Sequence, residues 1–321
     1  MIKRSTFILL AFVGFLANSA QAQDPAFSQF YANPLYLNPA FAGTARCPRI
    51  CMNFRDQWPN IAGTYVTSSI SYDQYVRPLS GGLGVLIMND RAGQGTINTL
   101  NVSGIYAYQL NVSPGFAIKF GMQATYGQKQ LDWSKLNFGD QIDTRYGFIN
   151  KTNEIAPTSL VKNYADFSAG FLAYGQHFYF GGAVNHLTRP DVGLLTLSRL
   201  PMKITAHAGA IIPLNKGSRF STPVTISPNI LYQRQQAFQQ LNIGFYVTRG
   251  PIVGGFWYRN RDSFVVLVGI QQNFFRLGYS YDITTSKLTN ASGGSHEVSM
   301  SFFIPCKPPV KRFRTISCPN F

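Results

Sequence analysis

Large apolar residues alternate with small or polar residues along most of the chain after residue 48. The run that starts at Phe116 shows the pattern clearly, with Phe116, Ile118, Phe120, Met122, Ala124 and Tyr126 on one face and Ala117, Lys119, Gly121, Gln123, Thr125 and Gly127 on the other. Similar runs begin at Leu100, Phe275 and Val298. These runs extend over about ten residues or more, whereas a typical strand has about five or six. The pattern therefore predicts an all-β fold, a transmembrane antiparallel β-barrel whose tilted strands cross a bilayer.

The repeat of these runs predicts about fourteen strands between residues 49 and 304, with twelve as the alternative count. The predicted starts are Arg49, Tyr65, Gly81, Ile97, Gly115, Asn163, His177, Met202, Pro223, Phe238, Pro251, Asp262, Asn273 and Gly294. An even number returns both ends of the barrel to the periplasm, so both termini are expected there. The longest connection, 130–162, then lies outside, and the alternation is weakest at 263–272, where FVVLV is apolar on both faces.

Residues 1–22 are predicted to be a cleaved signal peptide. A short basic start precedes the apolar run STFILLAFVGFLA, and AQA supplies small residues at the cleavage positions. The apolar run is shorter than the 18 to 20 residues that a membrane-spanning helix needs. The mature chain is therefore expected to begin at Gln23 and to be exported.

The segment QDPAFSQFYANPLYLNPAFAGT, residues 23–44, has neither helical nor strand periodicity. Its Asn-Pro steps favour turns and extended backbone, and its aromatic side chains would be costly to leave in water. We therefore expect residues 23–48 to pack as a plug inside the barrel or as a periplasmic cap, and the alternative is a disordered lead-in. The residues that define the motif are Phe30, Tyr31, Asn33, Pro34, Asn38, Pro39, Phe41 and Gly43.

Composition agrees with a membrane barrel. Aromatic residues make up 14% of the chain and charged residues only 13%, against about 25% charged in ordinary soluble proteins. A secreted β-sandwich is the alternative that composition alone leaves open.

The formal net charge is +15, and removal of Lys3 and Arg4 with the signal peptide leaves +13. Export excludes the nucleic-acid binding that such a charge otherwise suggests. Inward residues are expected to make the lumen positive, namely Lys119, Lys129, Arg259 and Arg276.

Four cysteines lie in two clusters at the ends of the barrel, Cys47 with Cys51 and Cys306 with Cys318. Exported proteins commonly form disulfides. Cys47 and Cys51 would be about 13 Å apart on one regular strand, which is too far to bridge, so either the first strand starts after Cys51 or each of the two pairs elsewhere. Both clusters are expected on the same side of the membrane, so all three pairings remain open. Residues 305–321 form a basic tail in the periplasm.

The sequence offers little for catalysis or for a cofactor. The histidines are His177, His186, His207 and His296, and they are scattered over separate strands or strand ends. No nucleophile motif, phosphate-binding loop or zinc-ligand spacing is present. We therefore expect no enzyme, no cofactor and no metal site.

Both ends of the chain resemble one family. The opening segment, followed by RDQWP and a strand, is similar to the start of the PorP/SprF family, and YSYDITTSKLTNASGGSHEVSMSF with the final CPNF resembles the end of that family. Members are outer-membrane proteins of type IX secretion and gliding motility in Bacteroidetes. The resemblance implies a barrel that works with type IX components, or that helps to export or retain a large surface adhesin.

Three functions remain open from the sequence. The favoured one is a partner in export or cell-surface attachment of a secreted protein, and the alternatives are a channel for small hydrophobic molecules, similar to fatty-acid channels, and a passive porin. Loop 130–162 mixes aromatic and charged residues as binding loops do. Its candidate partner-binding residues are Trp133, Phe138, Asp140, Asp143, Arg145 and Tyr146. The other expected contact is outer-membrane lipid.

Overall fold

A computed structural model describes residues 24–45, 47–61, 63–143, 145–157, 159–194, 196–215, 222–285 and 293–306. The predicted signal peptide and all but two residues of the predicted tail lie outside these ranges. The strands are β1 (Arg49–Gln57), β2 (Tyr65–Val76), β3 (Gly81–Ala92), β4 (Ile97–Ser113), β5 (Phe116–Leu131), β6 (Ile142–Asp143), β7 (Gly147–Phe148), β8 (Val161–Tyr174), β9 (Phe178–Asn185), β10 (Lys203–Ala210), β11 (Ile212–Asn215), β12 (Val224–Gln235), β13 (Phe238–Arg249), β14 (Ile252–Arg259), β15 (Ser263–Gln271), β16 (Phe275–Thr284) and β17 (Ser295–Phe303).

One antiparallel sheet closes on itself. β1 pairs with β2 on one side and with β17 on the other, and β10 pairs with both β9 and β12. β11 continues β10 beside β12 in an unchanged register, since Gly209 pairs with Asn229 and Ile212 pairs with Ile226. With β6 and β7 forming a separate hairpin, the barrel in the described residues has fourteen strands: β1 to β5, β8 to β10 and β12 to β17. The predicted all-β barrel of fourteen strands is confirmed.

The predicted strand starts agree closely with the observed ones. The largest offsets are at β8, predicted from Asn163 and observed from Val161, and at β16, predicted from Asn273 and observed from Phe275. Along β5, Phe120 and Met122 are exposed on the outer face while Lys119 is buried on the inner face. In β15 the inward Val265 and Leu267 are buried as well. The alternation is therefore weak there because the lumen beside β15 is apolar.

The two mouths of the barrel are distinguished by a disulfide and by a long loop. Cys47 is bonded to Cys306, with their Cα atoms 5.5 Å apart, at the end where β1 begins and β17 ends. We call this end the disulfide mouth, and the opposite end, which carries residues 132–160, the loop mouth. Cys51 is a free, buried thiol on β1, and Cys318 lies outside the described residues. The structure thus selects a cross-link between the two cysteine clusters.

Residues 24–44, the lumen segment, run through the inside of the barrel. Asp24 contacts Gln235 at the loop mouth, and Thr44 lies beside Arg49 at the disulfide mouth. Between them the chain forms three short turns, Phe30–Ala32, Pro34–Leu37 and Pro39–Phe41. Asp24 and Cys306 therefore lie at opposite mouths, whereas the sequence led us to expect both chain ends on one side. The even strand count fixes only the ends of the barrel, because it ignores a passage through the lumen before β1.

The helical content of the described chain is small. Within those residues, no helix is long and apolar enough to span a membrane.

Candidate functional site

The lumen segment packs its aromatic side chains against the inner wall. Phe30 contacts Trp257 edge-to-face with ring centroids 5.2 Å apart, and Tyr31 contacts Tyr179 in the same way at 5.7 Å. Tyr246 also contacts Trp257 edge-to-face, with ring centroids 5.6 Å apart. All of these side chains are buried. Full burial of a large apolar side chain is worth about 1.5–3 kcal/mol, so these contacts are a main source of the binding energy that holds the segment.

The two Asn-Pro steps fix the turns of the segment and link them to the wall. Pro34 and Pro39 each begin a helical turn, a position where a missing N–H is tolerated. Asn38 accepts a hydrogen bond from the Ala40 N–H at 2.9 Å, and its amide donates to the Phe171 carbonyl at 2.9 Å. The side chains of Asn33 and Asn38 are therefore structural parts of the lumen segment.

Asn33 reaches the wall on the opposite side from Asn38. Its side-chain amide donates to the Ser69 hydroxyl on β2 at 2.8 Å. Phe41 stacks on the imidazole of His207 with centroids 5.3 Å apart, and His207 is buried on β10. These contacts show that the segment reaches opposite sides of the lumen at once.

Inward glycines let the segment approach the wall closely. A Cβ atom on Gly121 would collide with the backbone of Pro39 and Ala40, and one on Gly82 would collide with Ala42. Gly43 has a φ of +66°, in the left-handed region that glycine favours. Small inward residues of this kind could line a water-filled pore. Here they let the backbone of the lumen segment contact the backbone of the barrel wall.

A buried cluster of acidic and basic residues holds the start of the segment. Arg55 donates to Asp282 at 2.9 Å and pairs with Glu297 at 3.4 Å. Arg259 also pairs with Asp282, at 3.2 Å. Ser28 donates its hydroxyl to Asp282 and its backbone N–H to Glu297, each at 2.5 Å. Because buried charges need partners, Ser28 completes a network that joins β1, β14, β16 and β17.

A second group of charged residues holds the end of the segment. Arg49 makes a two-point contact with Asp73, with N–O distances of 2.9 and 3.1 Å. Asp73 also accepts a hydrogen bond from the Gly43 N–H at 2.8 Å, and Lys119 donates to the Ala42 carbonyl. Of the residues expected to make the lumen positive, Arg259 is thus paired with the buried carboxylate of Asp282, and Lys119 is bound to a backbone carbonyl of the lumen segment.

A third group of charged residues, at the loop mouth, holds Asp24. His186, directly after β9, lies between two carboxylates, 2.8 Å from Asp24 and 2.7 Å from Asp166. Lys203 lies 3.7 Å from Asp24. Burial by itself would lower the pKa of His186, but the two carboxylates outweigh burial and raise it to about 9. For Asp24, burial would raise the pKa, but His186 and Lys203 hold it well below its usual range.

Replacing His186 by glutamine is expected to remove a stabilising effect that depends on pH. The pKa of an unfolded histidine is about 6.5, so the stability from the raised pKa is fully present below that pH and is lost as pH rises through about 9. We expect the variant to be less stable by on the order of 2–3 kcal/mol at pH 6 and by much less at pH 10.

Unfolding by urea in lipid vesicles at several pH values measures this difference. His177→Gln is the control, because His177 is exposed at the opposite mouth. A deficit for His186→Gln that stays constant from pH 6 to pH 10 would contradict the assignment.

The candidate partner-binding residues all lie in loop 132–160, and several of them shape the loop itself. Trp133 and Phe138 pack with centroids 4.9 Å apart. Asp140 accepts hydrogen bonds from Thr152 and from the Asn153 N–H. Asp143 accepts from the N–H groups of its neighbours Arg145 and Tyr146 at 2.8 and 2.9 Å.

The apolar tip of this loop was missed at the sequence level. Phe148 and Ile149 are more than half exposed, Tyr146 is 67% exposed, and Ile155 is 88% exposed. The hairpin of β6 and β7 presents Phe148 and Ile149 beside Tyr146. The signal in the sequence is the pair of short apolar steps in GFIN and NEIAP, each of which lies among polar residues. The tip is thus an exposed apolar surface at the loop mouth.

A small cavity remains beside the lumen segment at the disulfide mouth. Its volume is ≈ 80 Å³, and Tyr31, Phe41, Cys51 and Arg276 contribute to its lining. Arg276 lies over the ring of Phe303 at 4.8 Å from the centroid. The cavity has space for a few water molecules. In the described residues, no group of three or more His, Cys, Asp or Glu side chains is placed to hold a metal ion.

Comparison with known proteins places the chain in a family. The sequence profile described as "Type IX secretion system membrane protein PorP/SprF" matches residues 19–302. No curated protein matches the chain.

Similar solved structures include the CymD monoaromatic hydrocarbon channel, with 12% identity and a TM-score of 0.44 over 88% of this chain and 95% of that one. The outer membrane protein Omp33 of Acinetobacter baumannii is 10% identical, with a TM-score of 0.43 over 82% and 100%. The KdgM porin is 8% identical, with a TM-score of 0.37 over 80% and 99%. Since the family profile covers most of the chain, the protein belongs to the PorP/SprF family of type IX secretion system membrane proteins and is an outer-membrane β-barrel.

Proposed function

We propose that this barrel is a non-enzymatic docking partner for a secreted protein during export or attachment at the cell surface. The observation that carries the proposal is that the lumen is occupied by the chain's own residues 24–44, held by apolar packing and by three groups of charged residues. A barrel closed in this way serves poorly as a conduit. The surface that binds the partner is then the solvent-exposed side of one mouth of the barrel.

The loop mouth is proposed to face the cell exterior. Transmembrane barrels of bacteria have short periplasmic turns and longer extracellular loops. The connections at the disulfide mouth include the two-residue turns at 114–115 and 250–251, whereas 132–160 and 186–202 lie at the loop mouth. The disulfide would then form in the periplasm, which is an oxidising compartment.

The apolar tip of loop 132–160 is proposed as the contact for the partner. The centre of a protein interface is enriched in aromatic residues and arginine and is surrounded by a polar rim. Tyr146, Phe148, Ile149 and Ile155 supply the apolar part, and Arg145 lies over the ring of Tyr146. The partner class is a large secreted protein of the type IX pathway or a component of its machinery.

A detergent co-purification tests the proposal. The tagged protein is isolated from its native outer membrane, and bound proteins are identified by mass spectrometry. We expect one secreted or type IX protein near a one-to-one ratio, and we expect the triple variant Phe148→Ser, Ile149→Ser, Ile155→Ser to lose it.

The matched control is Leu197→Ser, because Leu197 is 73% exposed on the neighbouring loop at the same mouth. This variant should retain the partner. Recovery of the same partner with the triple variant would overturn the assignment of the loop. Recovery of the wild-type barrel alone would move support to a channel for small molecules.

A further inference from the structure

We infer that the mature N-terminus lies at the loop mouth, on the opposite side of the membrane from the disulfide. The lumen segment is then a strap that runs from one membrane face to the other inside its own barrel. This inference concerns the path of the chain and does not rest on the docking function.

The contacts of the segment follow one direction through the barrel. Asp24 bonds to Gln235, the last residue of β12, and to His186, just after β9, and both of these lie at the loop mouth. Four residues later, Ser28 contacts Arg55 near the same end of β1. The start of the described chain is therefore fixed at the loop mouth by residues from several strands.

The middle of the segment contacts the middle of the wall. Asn38 donates to the carbonyl of Gly182 at 3.1 Å, within β9, and lies 3.1 Å from the Nε2 atom of His207, within β10. The backbone at Ala40 lies against Gly121, near the middle of β5. The segment has thus moved about half the height of the barrel away from Asp24.

The end of the segment lies at the other mouth. Gly43 bonds to Asp73, which pairs with Arg49 at the start of β1. Cys47 follows and is joined to Cys306. A segment that entered from the disulfide mouth and folded back would leave both of its ends there, whereas the observed segment has its ends at opposite mouths.

The length of the segment is sufficient for this path. Residues 24–44 could reach roughly 70 Å if fully extended, at about 3.3–3.6 Å per residue, and a bilayer core is about 30 Å thick. The surplus length is taken up by the three short turns, and the Tyr36 hydroxyl donates back to the Pro25 carbonyl. Cleavage after Ala22 would place the new α-amino group one residue before Asp24, at a Cα spacing of about 3.8 Å.

The path of the segment determines from which side of the membrane the N-terminus can be reached. Asp24, Pro25 and Ala26 are partly exposed at the loop mouth, so a molecule on that side can contact the start of the described chain. A partner that binds beside loop 132–160 can therefore also contact the N-terminus. The barrel must also close around the segment during assembly, because β1 and β17 pair beside it.

Epitope tags on whole cells test the inference. One tag is placed between Ala22 and Gln23, a second after Lys151 in the exposed loop, and a third after Phe321. Antibody binding is measured on intact cells and again after the outer membrane is permeabilised. Heat-modifiable gel mobility and the Cys47–Cys306 bond confirm that each tagged protein has folded.

We expect the N-terminal tag and the loop tag to behave alike, either both labelled on intact cells or both labelled only after permeabilisation. The C-terminal tag should show the other of these two behaviours. This result holds whichever mouth faces outwards, so it is distinguishable from an error in the proposed orientation or in the docking function. Labelling of the N-terminal tag only under the conditions that label the C-terminal tag would overturn the inference.

A cross-link provides a second test that needs no tag. The double variant Asp24→Cys, Gln235→Cys is expected to be joined by a short bifunctional maleimide, because the Asp24 N–H lies 3.1 Å from the side-chain oxygen of Gln235. The control Asp24→Cys, Gln109→Cys places the second thiol on the inner face of β4 near the disulfide mouth and should not cross-link. Cross-linking of the control pair, and not of the first pair, would contradict the path.

Discussion

Replacing Arg55 by alanine is expected to lower the free energy of unfolding by about 3–5 kcal/mol, the usual loss when one partner of a buried ion pair is removed. Arg55 is the shared partner of Asp282 and Glu297, and all three side chains are buried. Without it, Arg259 is left as the cation bonded to Asp282, and Glu297 keeps backbone N–H donors from the lumen segment. The variant should therefore lose stability and loosen Ser28 at the same time.

Urea unfolding in phospholipid vesicles, followed by tryptophan fluorescence, measures the effect, and Trp257 reports directly on the packing of Phe30. The matched control is Arg234→Ala, because Arg234 is exposed on β12. Substitution of such a residue usually changes stability by no more than about 0.5 kcal/mol. If Arg55→Ala and the control unfold alike, the cluster does not hold the segment.

Replacing Gly121 by valine is expected to displace the lumen segment from the wall. Overpacking in a well-packed interior costs about 1–3 kcal/mol, and here the colliding atoms belong to the backbone of Pro39 and Ala40, which cannot rotate away. The strand itself should tolerate valine, a residue that favours β-structure. The barrel should therefore persist while residues 24–44 become accessible.

Limited digestion with chymotrypsin, which cuts after aromatic residues, reports this accessibility through cleavage after residues such as Phe30 and Phe41. Gly104→Val is the control, since a Cβ at Gly104 meets no atom within 4 Å. Rapid cleavage of the Gly121 variant and protection of the control are expected. Equal protection of both variants would show that the segment does not rest on β5.

The strands were predictable from the sequence because the wall faces two different environments. Lipid selects large apolar side chains outside, and the lumen selects small or polar ones inside, which gives the period of two seen in β5. The pattern weakened at β15 for the same physical reason, because the inward Val265 and Leu267 belong to the buried apolar cluster around the lumen segment.

The path of the lumen segment and its ionic contacts could not be predicted. Arg55 and Glu297 are far apart in sequence, with a separation of 242 residues, and closure of β1 against β17 is what brings them together. The sequence around Ser28 contains no motif that indicates a contact with these two residues. The sequence also did not show that the inward glycines Gly82 and Gly121 provide room for another backbone.

The contacts within loop 132–160 could not be predicted from the sequence either. Asp140 and Asp143 attracted attention as charged residues in a long loop, but both bind backbone N–H groups of the loop itself. Such local side-chain to backbone bonds are common for aspartate in turns. The apolar residues that we propose as the partner contact are exposed because of how the loop folds, which the sequence does not show.

Ion conductance in planar bilayers tests most directly the central claim, that the barrel is closed by its own N-terminal segment. The wild-type protein and a variant that lacks residues 24–44 are compared, with folding of each verified by heat-modifiable mobility. We expect the wild-type barrel to stay closed to ions and the shortened variant to form an open pore. A wild-type conductance as large as that of the shortened variant would contradict it and would favour a porin.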